Sequence, residues 1–137
     1  MIAYVDSSIL LRLALKQPGA LKDFSKIQRG ISSRILKAEC LRTLDRLLAF
    51  ETISDKDQSA ASLYLYQAFD HIEQIPVEPL LDSVGNPMGL KLGTLDALHL
   101  VSALKWREGK RAGIMFLTHD ERLGQAAERF GFRVLGL

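Results

Sequence analysis

Cysteine is almost absent from this chain of 137 residues. Cys40 stands alone, which excludes an intramolecular disulfide and any zinc cage built on several thiolates. Long apolar runs are absent too: none approaches the roughly 18 residues that a bilayer-spanning helix needs. Ser7–Leu15 is apolar enough to suggest a signal segment, but Asp6 and Arg12 break it up and no basic stretch precedes it. A cytoplasmic protein that does not engage a membrane is therefore expected. Repeats, low-complexity tracts and linkers are also missing, so residues 1–137 are expected to form one domain with an ordinary core.

The composition is that of a soluble globular protein, 47% hydrophobic and 25% charged. Net charge is only +2, yet it is unevenly spread. Residues 1–50 hold nine Lys/Arg against four Asp/Glu, and the remainder nine against twelve. A basic half beside an acidic pocket suits a polyanionic substrate, although surface charge is also uneven by chance.

Strand and helix signals alternate along the chain. Ile2–Val5 reads as a short buried strand, followed by a helix from Asp6 or Ser7 to about Lys16, ended by Pro18-Gly19. A short helix is expected over Ala20–Gln28 and a brief strand near Ile31–Ser33. Leu36–Phe50 is a strong helix with Leu36, Cys40, Leu41, Leu44, Leu47 and Leu48 on one stripe. Ser54 and Asp57 have the spacing of a capping box that opens a helix to about Gln74, with a weak strand at Ile75–Val77. Pro79–Val84 reads as a short helix and Gly85–Gly93 as a loop. Thr94 is expected to cap an apolar helix to Trp106. Gly113–Leu117 is a strand, Asp120–Phe130 a helix and Phe132–Leu135 a last strand. This alternation predicts an α/β domain with a parallel sheet.

Four acids punctuate that pattern: Asp6, Glu39, Asp96 and Asp120. Asp6 and Asp120 follow strands directly, at the rim where open parallel sheets bind ligands. Each acid has a plain structural alternative. Asp6 and Asp120 suit helix caps, Asp96 suits a first helical turn, and Glu39 can pair with Arg42 at i+3. Together they are harder to explain. Two unit charges 4 Å apart repel by about 4 kcal/mol at an effective dielectric of 20, so clustered carboxylates call for raised pKa values or a bound cation. Oxygen donors select a hard ion, Mg²⁺ or Mn²⁺, and the neighbouring hydroxyls of Ser7, Ser8 and Thr118 can orient the carboxylates.

The segments YVDSSILLRL, SSRILKAECLRTL, TLDALHLVSAL and FLTHDERLGQAAERFGFRVL, in that order, resemble the PIN-domain ribonucleases, in particular VapC-type toxins of toxin–antitoxin pairs. The resemblance covers nearly the whole chain. Ser7-Ser8 departs from the Thr-Asn that many such toxins carry after the first acid. The resemblance implies a three-layer α/β/α sandwich around a parallel sheet of four or five strands. It implies Mg²⁺ or Mn²⁺ on Asp6, Glu39, Asp96 and Asp120, with Ser7 and Thr118 supporting the site, and hydrolysis of RNA by metal-activated water without a histidine base. It further implies a homodimer and a cognate antitoxin protein. Arg12, Lys16, Arg42 and Arg46 are candidates for phosphate contacts. His99, three residues after Asp96, is either a pocket residue or an ordinary hydrogen-bonded histidine at the core boundary. Tyr64, Tyr66 and Phe69 suit either a partner interface or the core. The alternatives to a nuclease are a non-catalytic RNA-binding or scaffold PIN domain and a Mg-dependent phosphatase on a related α/β fold. The dehalogenase-like phosphatases require a second Asp where this chain has Ser8.

Overall fold

A computed structural model describes residues 1–137. Five strands, β1 (Ile2–Val5), β2 (Arg29–Ser33), β3 (Ile72–Ile75), β4 (Met115–Leu117) and β5 (Arg133–Leu135), form one sheet. All neighbouring pairs are parallel and the order is β3-β2-β1-β4-β5. β1 is therefore central. The chain builds outward from it first through β2 and β3, then crosses to β4 and β5 on the other side. The sheet reverses its direction of growth between β1 and β4, and at such a point the carboxyl ends of the strands frame a crevice.

Six helices cover the two faces: α1 (Ser7–Ala14), α2 (Leu36–Ala49), α3 (Asp55–Phe69), α4 (Leu81–Val84), α5 (Thr94–Lys110) and α6 (Glu121–Arg129). Alternation along β1 divides the core. Ala3 and Val5 face one layer, where Ile9 and Leu10 of α1, Leu36, Cys40 and Leu44 of α2, and Ala61, Leu65 and Phe69 of α3 pack. Tyr4 faces the other, with Leu100, Ala103 and Trp106 of α5 and Leu123, Ala126 and Ala127 of α6. This is the expected three-layer α/β/α sandwich. No helix is long and apolar enough to cross a membrane.

Several boundaries differ from those expected. The Ser54–Asp57 capping box forms with both of its reciprocal bonds, but α3 stops at Phe69 rather than Gln74. β3 then begins at Ile72, three residues before the expected strand. Its Glu73 and Gln74 are exposed, as suits an edge strand, and so it carries no apolar run to announce itself. Residues 20–28 form only a 3₁₀ turn at Lys22–Lys26. Gly93, not Thr94, occupies the N-cap of α5, and that helix runs on to Lys110, ending where Arg111 turns left-handed at φ 49°.

Candidate metal centre

Asp6 leaves the end of β1 and caps α1. The residue is 4% exposed, a position that requires its carboxylate oxygens to be satisfied. Oδ2 receives Ser8 Oγ at 2.5 Å, Thr118 Oγ1 at 2.9 Å and the Ser8 amide at 3.3 Å. Oδ1 has only Ser7 Oγ at 3.4 Å and the His99 ring at 3.7 Å. One oxygen is thus saturated by the fold, and the other has only these two longer contacts.

The hydroxyls that hold Asp6 are themselves fixed. Thr118 Oγ1 accepts the Asp120 amide at 2.9 Å, and Ser8 Oγ accepts the His119 amide at 2.9 Å. The end of β4 is thereby tied to the start of α1. Asp120 is drawn into the same corner as the cap of α6, where Oδ1 accepts the Leu123 amide at 2.9 Å. Of the hydroxyls named from sequence, Thr118 is buried and central to this network. Ser7 makes the longer contact, while Ser8 makes the shorter one.

Glu39 does not pair with Arg42, which turns instead to Asp45 at 2.8 Å. It reaches across from α2 to α5, where its Oε2 meets His99 Nε2 at 2.5 Å. His99 is fully buried, and its Nδ1 lies 2.8 Å from the Tyr4 hydroxyl. The tautomer follows from the network. A carboxylate oxygen only accepts, so Nε2 carries the hydrogen directed at Glu39; in the neutral ring Nδ1 then accepts from the Tyr4 hydroxyl, which itself accepts the Ser33 amide at 3.0 Å. A protonated ring also donates from Nε2. His99 is therefore a pocket residue, and the strand residue Tyr4 supports it from behind.

The electrostatics agree with this crowding. Burial is the strongest influence on His99 and opposes its protonation. The hydrogen bond to Glu39 and the charges of Asp6, Glu39 and Asp96 outweigh it, so its pKa lies above the ordinary 6.5. Asp96, half-buried in the first turn of α5, is pushed above its ordinary 3.8, first by burial and then by the charges of Asp120, Asp6 and Glu39. All four sequence-named acids thus share one electrostatic environment. The tightest group is smaller: Asp6, Glu39 and His99 offer ligand atoms that all lie within 4.8 Å of one another. That spacing and the excess of carboxylate fit a divalent cation. Because Nε2 is committed to Glu39, the donors left for the cation are the oxygens, as a hard ion prefers.

Other sequence-named residues separate. Phe69 and Trp106 belong to the core, whereas Tyr66 is 48% exposed on α3. Arg42 is engaged by Asp45, while Lys16 and Arg46 are exposed without ion pairs.

Comparison with known proteins accords with this geometry. The PIN domain model matches residues 3–129. A Mycobacterium tuberculosis protein named Ribonuclease VapC46 is 30% identical over 139 residues, spanning 96% of this chain and 95% of that protein.

Proposed function

The chain belongs to the PIN-domain family, and from that premise we propose that it is an endoribonuclease that depends on Mg²⁺ or Mn²⁺, the toxin of a toxin–antitoxin pair. The observation that carries the reading is Asp6: a nearly buried residue with one carboxylate oxygen saturated and the other near the His99 ring, grouped with Glu39 and sharing the field of Asp96 and Asp120. A phosphatase of the dehalogenase type would need an acid at residue 8. Here Ser8 is already used to hold Asp6.

In this reading the residues divide the work. Asp6, Glu39, Asp96 and Asp120 hold the cation. Thr118, Ser7 and Ser8 fix the orientation of Asp6, and His99 fixes that of Glu39. When bound, the cation supplies an activated water near neutral pH and positive charge against the scissile phosphate. The buried corner between β1 and β4 keeps these carboxylates preorganised. Cys40 takes no part: burial, followed by the charges of Glu39 and Asp6, drives its thiol well above the ordinary range, so it stays neutral.

We take residues 1–137 as one nuclease domain acting in the cytoplasm on RNA. An antitoxin protein is its inhibitor, and a homodimer is its working form. The relative named as a ribonuclease supports the substrate class. The test is incubation with transfer, ribosomal and messenger RNA in Mg²⁺, Mn²⁺ or chelator, with the product ends mapped. Hydrolysis by water leaves a 5′-phosphate and a 3′-hydroxyl and stops in chelator. Ends bearing a 2′,3′-cyclic phosphate, or cleavage that survives chelation, reject the mechanism.

A further inference from the structure

We propose that the groove between the 85–93 loop and α6 is an RNA-backbone site that carries the strand away from the acids. The proposal rests on the ribonuclease reading above. A cavity of about 450 Å³ lies there, with Lys91 on the loop side and Arg122, Gln125 and Arg129 on the helix side. All four residues are exposed. None of the three cations has an acidic partner: the Lys/Arg ion pairs of the chain engage Lys26, Arg29, Arg42 and Lys105.

Placement ties the groove to the site. Arg122 follows Asp120 by two residues, and Lys91 precedes Asp96 by five. Arg122 and Arg129 are seven residues apart on α6, two turns, so they share a face and are separated by about 10 Å along the axis. The row therefore starts in the first turn of α6, which Asp120 caps, and runs to the far end of that helix. Carboxylates repel a polyanion, and unpaired cations alongside them supply the attraction that brings a phosphate backbone to that rim.

The lining also argues against a docked protein. Its apolar members are Leu90, Leu92 and Ala126, and it has no aromatic residue. A partner helix would find no anchoring pocket of the kind that dominates protein interfaces. A phosphate chain needs none.

The decisive experiment compares wild type with the double variants Arg122→Gln/Arg129→Gln and Arg122→Lys/Arg129→Lys. Binding of a fluorescent single-stranded oligoribonucleotide is followed by anisotropy in chelator, between about 50 and 200 mM salt. Loss of two phosphate contacts lowers the slope of log K against log salt by about 1.4, at roughly 0.7 per contact for single strands. The Gln variant is expected to lose that slope and about tenfold in affinity, with the Lys variant close to wild type. Mn²⁺ binding should be the same in all three. Unchanged RNA affinity in the Gln variant overturns the proposal and leaves the groove to a protein partner. Equal loss in the Lys and Gln variants also overturns it, since charge would then not be the cause. Failure of the wild type to cut RNA with Mn²⁺ would instead reject the ribonuclease reading, and that result is separate from binding in chelator.

Discussion

His99 is the residue whose role was least legible. Its spacing from Asp96 puts it near the pocket, but spacing alone leaves open whether it faces solvent, core or acid. What decides is Tyr4, ninety-five residues away in the chain, whose hydroxyl meets Nδ1 and directs Nε2 at Glu39. No local pattern contains that pairing. The acids were easier, because each sits at a strand end or in a first helical turn, positions that sequence marks. In the proposed metal site Glu39 is a ligand, and a partner acting on a metal ligand from behind is worth about 10–100-fold in metal affinity or activity. His99→Gln is accordingly expected to weaken Mn²⁺ binding and lower kcat by that order, measured by calorimetry and by single-turnover cleavage. Tyr4→Phe should act in the same direction and also lose about 1–3 kcal/mol of stability in urea denaturation, because the buried Ser33 amide loses its acceptor. Wild-type Mn²⁺ affinity in His99→Gln would show that the histidine is only packing.

At the level of elements, the helices that sequence marked best are those with chemical punctuation. The Ser54–Asp57 box opens α3 where expected, and Asp6 and Asp120 cap α1 and α6 through their own side chains. The misplaced boundaries lack such punctuation. Nothing between Phe69 and Ile72 is Gly or Pro, so no residue there marks the end of the helix, and β3 is a half-exposed edge strand with no alternation of apolar residues. The C-terminal segment makes a closer demand. Gly136 has φ +109°, and a Cβ there would come within 2.5 Å of the Thr118 carbonyl. Its own carbonyl accepts from His119 Nδ1 at 2.6 Å, so the segment clamps the turn that carries Thr118. Gly136→Ala is expected to cost about 1–3 kcal/mol in thermal or urea unfolding and to disturb Asp6 through Thr118. A change within about 0.5 kcal/mol, the range of an ordinary surface substitution, would mean the segment yields freely.

For the whole molecule, the parallel sheet and its two helical layers follow from the alternation of strand and helix signals. The crevice follows from strand order, which sequence does not print: the pairing of β1 with β4, with Val5 opposite Leu117, brings Asp6 and Asp120 to adjacent strand ends. Gathering charge there makes stability depend on protons. The pKa of Asp96 is raised above 3.8 and that of His99 above 6.5, so the folded state binds both protons more tightly than the unfolded chain does. Both contributions are fully present below the ordinary values and are lost as pH rises through the folded ones. The metal-free protein should therefore lose melting temperature as pH rises above about 6.5, the ordinary histidine value. A divalent cation opposes this trend, because it binds the deprotonated ligands and stabilises the fold by about 2.7 kcal/mol at a hundredfold excess over its Kd. A melting temperature in chelator that rises with pH above that value would contradict the assignment of these groups. The most direct measurement is a Mn²⁺ titration by calorimetry of the wild type and of Asp6→Asn, which keeps a good helix cap while removing the charge. Saturable binding in the wild type that disappears in a folded Asp6→Asn is the result expected here; no binding at all, or equal binding in both, would contradict it.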